Sequence, residues 1–274
     1  MNKRSRNVKR KIGFYHPING TWRKREGMKK SNILPILAVV LGAVCFGLRR
    51  WQMAVDFDAL GLPLPGAATH ALTAVGVLAP VLFAALLLPR KGESRWSEVL
   101  GERRLLPLYA SALLCAGALV PMVRAGGVVP EDTAVFAMAA RVIPLLMLLG
   151  TAAAAVGLFL AAPGGANRGQ NLVLPTLLGC FWTVAAYHEH GTDPVVGHFV
   201  WLILAVVSST LGWYELTALS MDRGHARRAC FLSLTTVVYS LAALAGGVNL
   251  QEGLLLAAQT VGFFTVAAVM EFEM

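Results

Sequence analysis

Histidines and carboxylates gather around one short turn between two apolar stretches of the chain. His188 and Glu189 come directly before the turn, Asp193 lies in it, and His198 follows it. Imidazole nitrogens and carboxylate oxygens are ligands that zinc and similar divalent cations bind in proteins. Without a metal, the same imidazoles would titrate near neutral pH and form a proton-sensitive group. These residues are therefore a candidate metal or proton site. His70, near the start of an earlier apolar stretch, is a further candidate member of this site.

The residues of the turn predict the geometry of this site. Gly191 suits the end of one helix, and Asp193 and Pro194 suit the start of the next. The second helix should fold back along the first, so the nitrogens of His188 and His198 should lie within about 5 Å of each other. The alternative is that the histidines lie at the membrane surface and bind nothing. We predict no cofactor other than this divalent metal.

Two isolated charges lie within or beside apolar stretches. Glu215 directly follows Trp213 and Tyr214. An acid inside a membrane is typical of a proton or ion carrier, whereas the flanking aromatic residues indicate the membrane interface, where Glu215 would contact water. Arg141 would be buried, as a candidate anion site, if its helix began at Glu131. Otherwise its side chain extends to the lipid headgroups.

The composition excludes most classes of protein. The chain has 274 residues, of which 56% are hydrophobic and 14% are charged, whereas about a quarter of the residues are charged in a soluble globular protein. A soluble enzyme, a coiled coil, a disordered chain and a secreted disulfide scaffold are therefore excluded. The sequence has no nucleotide-binding glycine loop, no serine-nucleophile motif and no His-Glu-x-x-His pair. We therefore predict neither an enzyme nor a nucleic-acid partner.

The apolar stretches predict an all-α polytopic membrane protein. A membrane-spanning helix requires about 20 mostly apolar residues, and about 17 are the lower limit. The last two stretches are divided only by a polar, glycine-rich segment, which predicts a turn between two helices. Eight spans are predicted, over 31–48, 67–89, 105–123, 142–162, 172–188, 195–218, 229–246 and 254–270.

The distribution of basic residues predicts the orientation. With the N-terminus inside, 20 of the 24 Lys and Arg lie on the inner side and only Arg49, Arg50, Arg124 and Arg141 lie in outer loops. Because Lys and Arg near spans stay in the cytoplasm, both termini should be cytoplasmic. This asymmetry also accounts for the net charge of +9 without a nucleic acid. We expect a multi-pass protein of the plasma membrane.

Recurring landmarks suggest that the membrane region is a parallel duplication of four helices. A proline near the start of the helix and a later Cys-Phe pair occur in both helix 1 and helix 5. The alternative is that these similarities arose by chance, because apolar helices are built from few residue types.

Met28 and the two lysines after it form a self-sufficient start, so translation begins at either Met1 or Met28. The predicted segments are a basic tail (1–30), a first half with helices 1 to 4 (31–162), a cytoplasmic linker (163–171) and a second half with helices 5 to 8 (172–274).

Three functions fit this architecture. Short loops, a duplication and a few embedded charges favour a small-solute permease or the membrane subunit of a transporter. The scarcity of polar residues in several helices favours instead a scaffold, sensor or assembly factor that does not transport. A membrane enzyme that uses the outer histidines ranks last, because no nucleophile and base occur at a suitable spacing. The expected partners are the lipid bilayer and either a second copy of the chain or other membrane subunits.

Overall fold

The computed structural model describes residues 33–58, 64–89, 105–125, 137–162, 168–190 and 196–273. These residues form an all-helical fold, and each of its eight α-helices overlaps one predicted span. A short 3-10 turn over Arg168–Leu172 precedes the fifth helix. The helices are α1 (Ile33–Val55), α2 (Ala67–Leu87), α3 (Leu106–Ala125), α4 (Ala137–Ala161), α5 (Val173–His190), α6 (Val196–Ser220), α7 (Ala226–Leu244) and α8 (Leu250–Glu273).

Six of these helices are long and apolar enough to cross a membrane, as in a multi-pass membrane protein. The two exceptions are α5, which ends in the polar run Tyr187 to His190, and α7, which begins close to Arg227 and Arg228. Membrane crossing by α5 and α7 therefore stays a prediction. The six apolar segments are Ile33–Val55, Ala67–Leu87, Leu106–Arg124, Arg141–Ala161, Phe199–Ser220 and Leu250–Glu271.

Helix α7 lies inside the bundle, which explains its lower hydrophobicity. It packs against α1, α2, α6 and α8, so little of its surface faces outwards. Most of its buried hydroxyls bond to its own backbone: Ser233 Oγ donates to the Ala229 carbonyl at 2.7 Å and Thr236 Oγ1 to the Leu232 carbonyl at 2.8 Å. A helix that is surrounded by protein can therefore carry such residues without exposing a polar group to lipid.

Helices α3 to α8 form a closed circuit in which each helix packs against the next and α8 packs against α3. Large side chains of α6 and α8 meet between these helices. The rings of Trp213 and Phe263 lie 4.3 Å apart, and Trp213 Nε1 donates to Gln259 Oε1 at 2.6 Å. Helices α1 and α2 pack against each other and against α7. This part of the interior is filled by side chains.

Glycines let neighbouring helices approach closely. A Cβ at Gly42 of α1 would lie 2.5 Å from Leu241 Cδ1 of α7, and one at Gly179 of α5 would lie 2.3 Å from Thr210 Oγ1 of α6. Neither neighbour leaves room for a side chain at these positions. Close packing through small residues is the usual way in which membrane helices associate.

The two ends of the bundle are defined by contacts between helix termini. At the first end, the Leu34 amide near the start of α1 donates to Glu271 Oε2 of α8 at 3.1 Å. At the same end, Arg227 Nη1 of α7 donates to the Leu88 carbonyl after α2 at 3.3 Å. We call this the Glu271 end. The opposite one, where α1 ends and α2 and α8 begin, is the Arg49 end.

The prediction of two helices at the C-terminal side of the chain is confirmed. Helix α7 ends at Leu244, and Gly247 has a positive φ of 79° in the turn that leads to α8. All eight helices belong to one compact unit. Among the described residues, α6 packs extensively on α7, whereas the matching pair in the first half, α2 and α3, forms no comparable contact. The duplication and the proposed segment boundaries stay predictions.

Candidate functional site

The predicted metal or proton site lies only partly within the described residues. His70 near the start of α2 and His188 near the end of α5 are both exposed. The side chain of His198 and the whole of Asp193 lie outside the described residues, so the predicted approach of His188 to His198 does too. In the part of the chain that the structure describes, no group of three His, Cys, Asp or Glu residues is placed to hold a metal. A metal at these histidines stays a prediction.

The two isolated charges lie on α6 and α4. Glu215 Oε1 lies 4.0 Å from Arg228 Nη1 of α7, and the side chains are 15% and 68% exposed, respectively. This ion pair joins α6 and α7 near the Glu271 end. Arg141 is exposed on α4, and Glu131, the alternative start of that helix, lies outside the described residues. Roles in ion coupling and in anion binding stay predictions for Glu215 and Arg141.

A polar cluster forms where α1 continues beyond its predicted end. The sequence predicted a span over 31–48 with Arg49 in an outer loop, but α1 extends to Val55 and its Arg49 is only 1% exposed. Gln52 and Asp56 follow Arg49 by three and seven residues, which places all three on one face of the helix. Because this face packs against protein, polar residues continue the helix after the apolar run has ended.

Hydrogen bonds connect this face of α1 to the start of α2. Arg49 Nη1 donates to Gln52 Oε1. Gln52 Nε2 then donates to Thr69 Oγ1 at 2.9 Å, and that hydroxyl donates to Asp56 Oδ2 at 2.8 Å. The guanidinium carbon of Arg49 also lies 5.6 Å from the centre of the Phe57 ring. Arg49 is thus held in a fixed orientation from two sides.

Asp56 caps α2 from outside the helix. The Thr69 amide, in the first turn of α2, donates to Asp56 Oδ2 at 2.7 Å, and the first-turn amides of a helix have no acceptor within it. The residue at the usual capping position is Gly66, which has no side chain. A Cβ there would lie 1.9 Å from Asp56 Oδ1. Gly66 therefore leaves the space that the Asp56 carboxylate fills.

A cavity of about 250 Å³ lies beside this cluster at the Arg49 end. Among the described residues, three charged ones line it: Arg49 of α1, Glu189 of α5 and Glu252 of α8. Glu252 is 9% exposed, and its amide donates to Asn249 Oδ1 at 2.8 Å, so Asn249 caps α8. Of the members of the predicted histidine site whose side chains the structure describes, only Glu189 lies in the wall of the cavity.

The cavity combines fixed charges of both signs with apolar walls. Phe199, Trp201 and Leu202 of α6 line it together with the charged residues. A guanidinium whose orientation is fixed binds a carboxylate or phosphate through two parallel hydrogen bonds. Carboxylates in the same space bind an ammonium group or a cation. The arrangement therefore suits a small, charged solute.

Two signals for this site were present in the sequence. Arg49, Gln52 and Asp56 have helical spacing, but Arg49 and Arg50 were interpreted as the flank of an apolar span. Asn249 and Glu252 have the spacing of a helix-capping box, in which a small polar residue precedes an acid by three positions. Their proximity to Arg49 depends on the packing of α1 against α7 and α8, and no local pattern carries that information.

Comparison with known proteins adds no relative to this description. No protein-family model, no curated protein and no solved structure matches the chain. Its general class follows from six helices that are long and apolar enough to cross a membrane. Any more specific function has to be inferred from the cavity at the Arg49 end.

Proposed function

We propose that this protein is a small-solute permease, or the membrane subunit of a transporter, and that its solute binds in the cavity at the Arg49 end. One observation carries the proposal: a cavity of about 250 Å³ that is lined by the buried charges of Arg49 and Glu252 and by the exposed Glu189. Buried charges are costly in a membrane protein and usually mark the path of a solute or ion.

The set of helices around the cavity supports transport. Its walls come from α1 and from α5 to α8, so they combine helices of both predicted halves, and solute sites in transporters typically lie between such halves. A solute bound there would contact several helices at once. Binding can therefore change their relative positions, as a transport cycle requires.

One backbone hydrogen bond within α2 is missing close to the wall of the cavity. Pro80 has no amide hydrogen, so the Gly76 carbonyl one turn earlier loses its helical donor, and Tyr239 Oη of α7 donates to it at 3.2 Å. The Tyr239 ring lies 6.0 Å from the ring of Trp201, which lines the cavity. Proline breaks are common places for membrane helices to bend. Trp201 thus connects the cavity to a point where α2 can bend.

The proposed orientation places the cavity on the outer side of a plasma membrane. Both termini are then cytoplasmic, and the Glu271 end faces inwards. The excess of Lys and Arg in the segments that join helices at the Glu271 end supports this orientation. Exposed Arg223, Arg227 and Arg228 lie at that end. The solute would enter from outside the cell.

Uptake into proteoliposomes tests this function. The purified full-length chain is reconstituted and offered labelled small carboxylates, amines and amino acids, one at a time. We expect at least one solute to accumulate, and we expect Arg49→Gln to remove its uptake. Arg50→Gln is the matched control, because Arg50 is the exposed neighbour of Arg49 and its loss should leave uptake unchanged. Failure of every solute with the folded wild-type protein would contradict the permease.

A scaffold or assembly factor is the second candidate, and the filled interior favours it. A Cβ at Gly212 of α6 would lie 2.6 Å from Phe263 Cε1 of α8, and Trp213 is fully buried beside them. A protein whose only task is to hold other subunits needs this packing and no binding cavity. It would show no uptake and would copurify with a membrane partner whether or not Arg49 is present.

A further inference from the structure

We propose that the cavity at the Arg49 end recognises a small zwitterion, a molecule with one carboxylate and one ammonium group. This inference rests on the proposed function and specifies the class of its solute. The features that carry it are the opposite fixed charges in one cavity, the fixed orientation of Arg49, and the size and apolar wall of the space.

Arg49 supplies the site for the carboxylate. Its side chain is buried, it lines the cavity, and it is oriented by Gln52 and by the ring of Phe57. Gly246 in the turn after α7 lies beside the guanidinium, since a Cβ added there would be 3.8 Å from Arg49 Nε. A planar guanidinium held in this way favours planar anions with two oxygens over spherical ones.

Glu252 and Glu189 supply the site for the ammonium group. Glu252 belongs to the first turn of α8, and its position is fixed by the cap that Asn249 forms. Glu189 reaches the same cavity from the end of α5. Two carboxylates around a space that also contains a guanidinium can accept several N–H donors from one ammonium group.

The charges of the cavity disfavour simple ions. A carboxylate without an amine would bind Arg49 but would also face two acidic side chains, and an amine without a carboxylate would face Arg49. Each would lie close to a charge of its own sign, and this repulsion is strong at low dielectric. A zwitterion provides a partner for both signs at once.

The size of the cavity limits the solute to a few carbon atoms. A volume of about 250 Å³ corresponds to about eight water molecules at roughly 30 Å³ each. The apolar side chains of Phe199, Trp201 and Leu202 suit a short methylene chain between the two charged groups. A three-carbon amino acid fits this description.

Calorimetry with three matched probes tests the inference on the purified full-length protein. β-Alanine carries both charges, propionate only the carboxylate and propylamine only the ammonium group, on the same three-carbon chain. We expect β-alanine to bind at least about tenfold more tightly than either of the other two. Equal binding of propionate would show a simple anion site, and equal binding of propylamine a simple cation site. Either result overturns the proposal.

Matched variants show whether the binding occurs in this cavity. Arg49→Gln and Glu252→Gln should each weaken β-alanine binding at least about tenfold. Arg50→Gln and Asp222→Asn, which remove exposed charges of the same signs, should not change it. Asp222 lies in the turn between α6 and α7 with a φ of 57°, a conformation that Asn also tolerates. Unchanged binding in Glu252→Gln would overturn the proposal even if Arg49→Gln failed to fold.

The outcomes separate this inference from the proposed function. If β-alanine binds as expected but neither it nor any other solute enters proteoliposomes, the zwitterion site stands and the permease fails. If another solute is taken up while β-alanine does not bind, the permease stands and the zwitterion site fails.

Discussion

The Glu271 end and the Arg49 end of the bundle use charged residues differently. At the Glu271 end, charges meet the termini of neighbouring helices: Glu271 accepts from the start of α1, and Arg227 donates to the end of α2. At the Arg49 end, Asp56 also caps a helix, but Arg49 and Glu252 line a cavity. The difference indicates that the charges at one end hold helix termini, whereas two of those at the other end also line a cavity.

This difference matters because buried charges have an energetic cost. The Arg228–Glu215 pair at the Glu271 end includes a side chain that is 68% exposed. Solvent screens this pair, so it contributes little to the free energy of unfolding. Arg49 is 1% exposed and has lost most of its hydration. Arg49 donates to Gln52 and lies against the Phe57 ring, and we infer that its place in the cavity wall also lets it bind a solute.

The largest expected effect concerns the sides of the membrane, because a topology reporter gives an all-or-none signal. Reporter fusions after Gln170 and after Met274 should both give a cytoplasmic signal, since most Lys and Arg lie in the inner segments. A signal from the outer side at either position would interchange the two ends or change the number of spans. The Arg49 end would then face the cytoplasm, or the helices would cross the membrane in a different order.

Loss of Asp56 should cause the largest change in stability. Asp56→Ala removes the acceptor of both the Thr69 amide and the Thr69 hydroxyl. We expect the free energy of unfolding to fall by about 2 kcal/mol, as measured by SDS titration in mixed micelles. A change near zero would show that the polar cluster does not hold α1 to α2.

Crowding the Asp56 carboxylate should have a slightly smaller effect. Gly66→Ala places a Cβ 1.9 Å from Asp56 Oδ1, and overpacking of this kind costs about 1 to 2 kcal/mol. Gly253→Ala is the matched control at the same end, because the nearest atom to its added Cβ, Val248 Cγ2, is 3.8 Å away. Equal stability of the two variants in the same titration would contradict the role given to Gly66.

At the Glu271 end, loss of a single cap should matter less. Glu271→Ala removes one acceptor from the start of α1 and should lower the free energy of unfolding by about 1 kcal/mol. Solute uptake per folded molecule should not change, because Glu271 lies at the end opposite the cavity. Loss of uptake in this variant at normal stability would show that function is not confined to the Arg49 end.

The smallest effect is expected for the exposed ion pair. Arg228→Gln should change the free energy of unfolding by less than about 0.5 kcal/mol, because water and salt screen the pair. The same SDS titration at low and high salt measures this. A loss as large as that of Asp56→Ala would mean that the two ends do not differ in the way described.

The sequence predicted most helix ends within five residues but missed the end of α1. The span over 67–89 agrees with Ala67–Leu87 within two residues, because an apolar surface against lipid has to be continuous. The end of α1 was placed seven residues too early, because Arg49, Gln52 and Asp56 face other helices. Hydropathy alone cannot identify a polar residue that has a partner in the fold.

The candidate site was predictable only in part, for a related reason. Glu189 was predicted as a ligand of the histidine site, and that role stays a prediction; the structure places it in the wall of the cavity. Arg49 and Glu252 are about two hundred residues apart in the sequence and meet only because α1 packs on α7 and contacts α8. A single sequence contains no direct signal for that contact.

The most direct test of the difference between the two ends is a crystal structure of the protein grown with β-alanine. We predict the solute in the cavity at the Arg49 end, with its carboxylate oxygens about 3 Å from the Arg49 guanidinium nitrogens and its ammonium group facing Glu252. A solute bound at the Glu271 end, or a cavity that stays without solute at saturating β-alanine, would contradict the account.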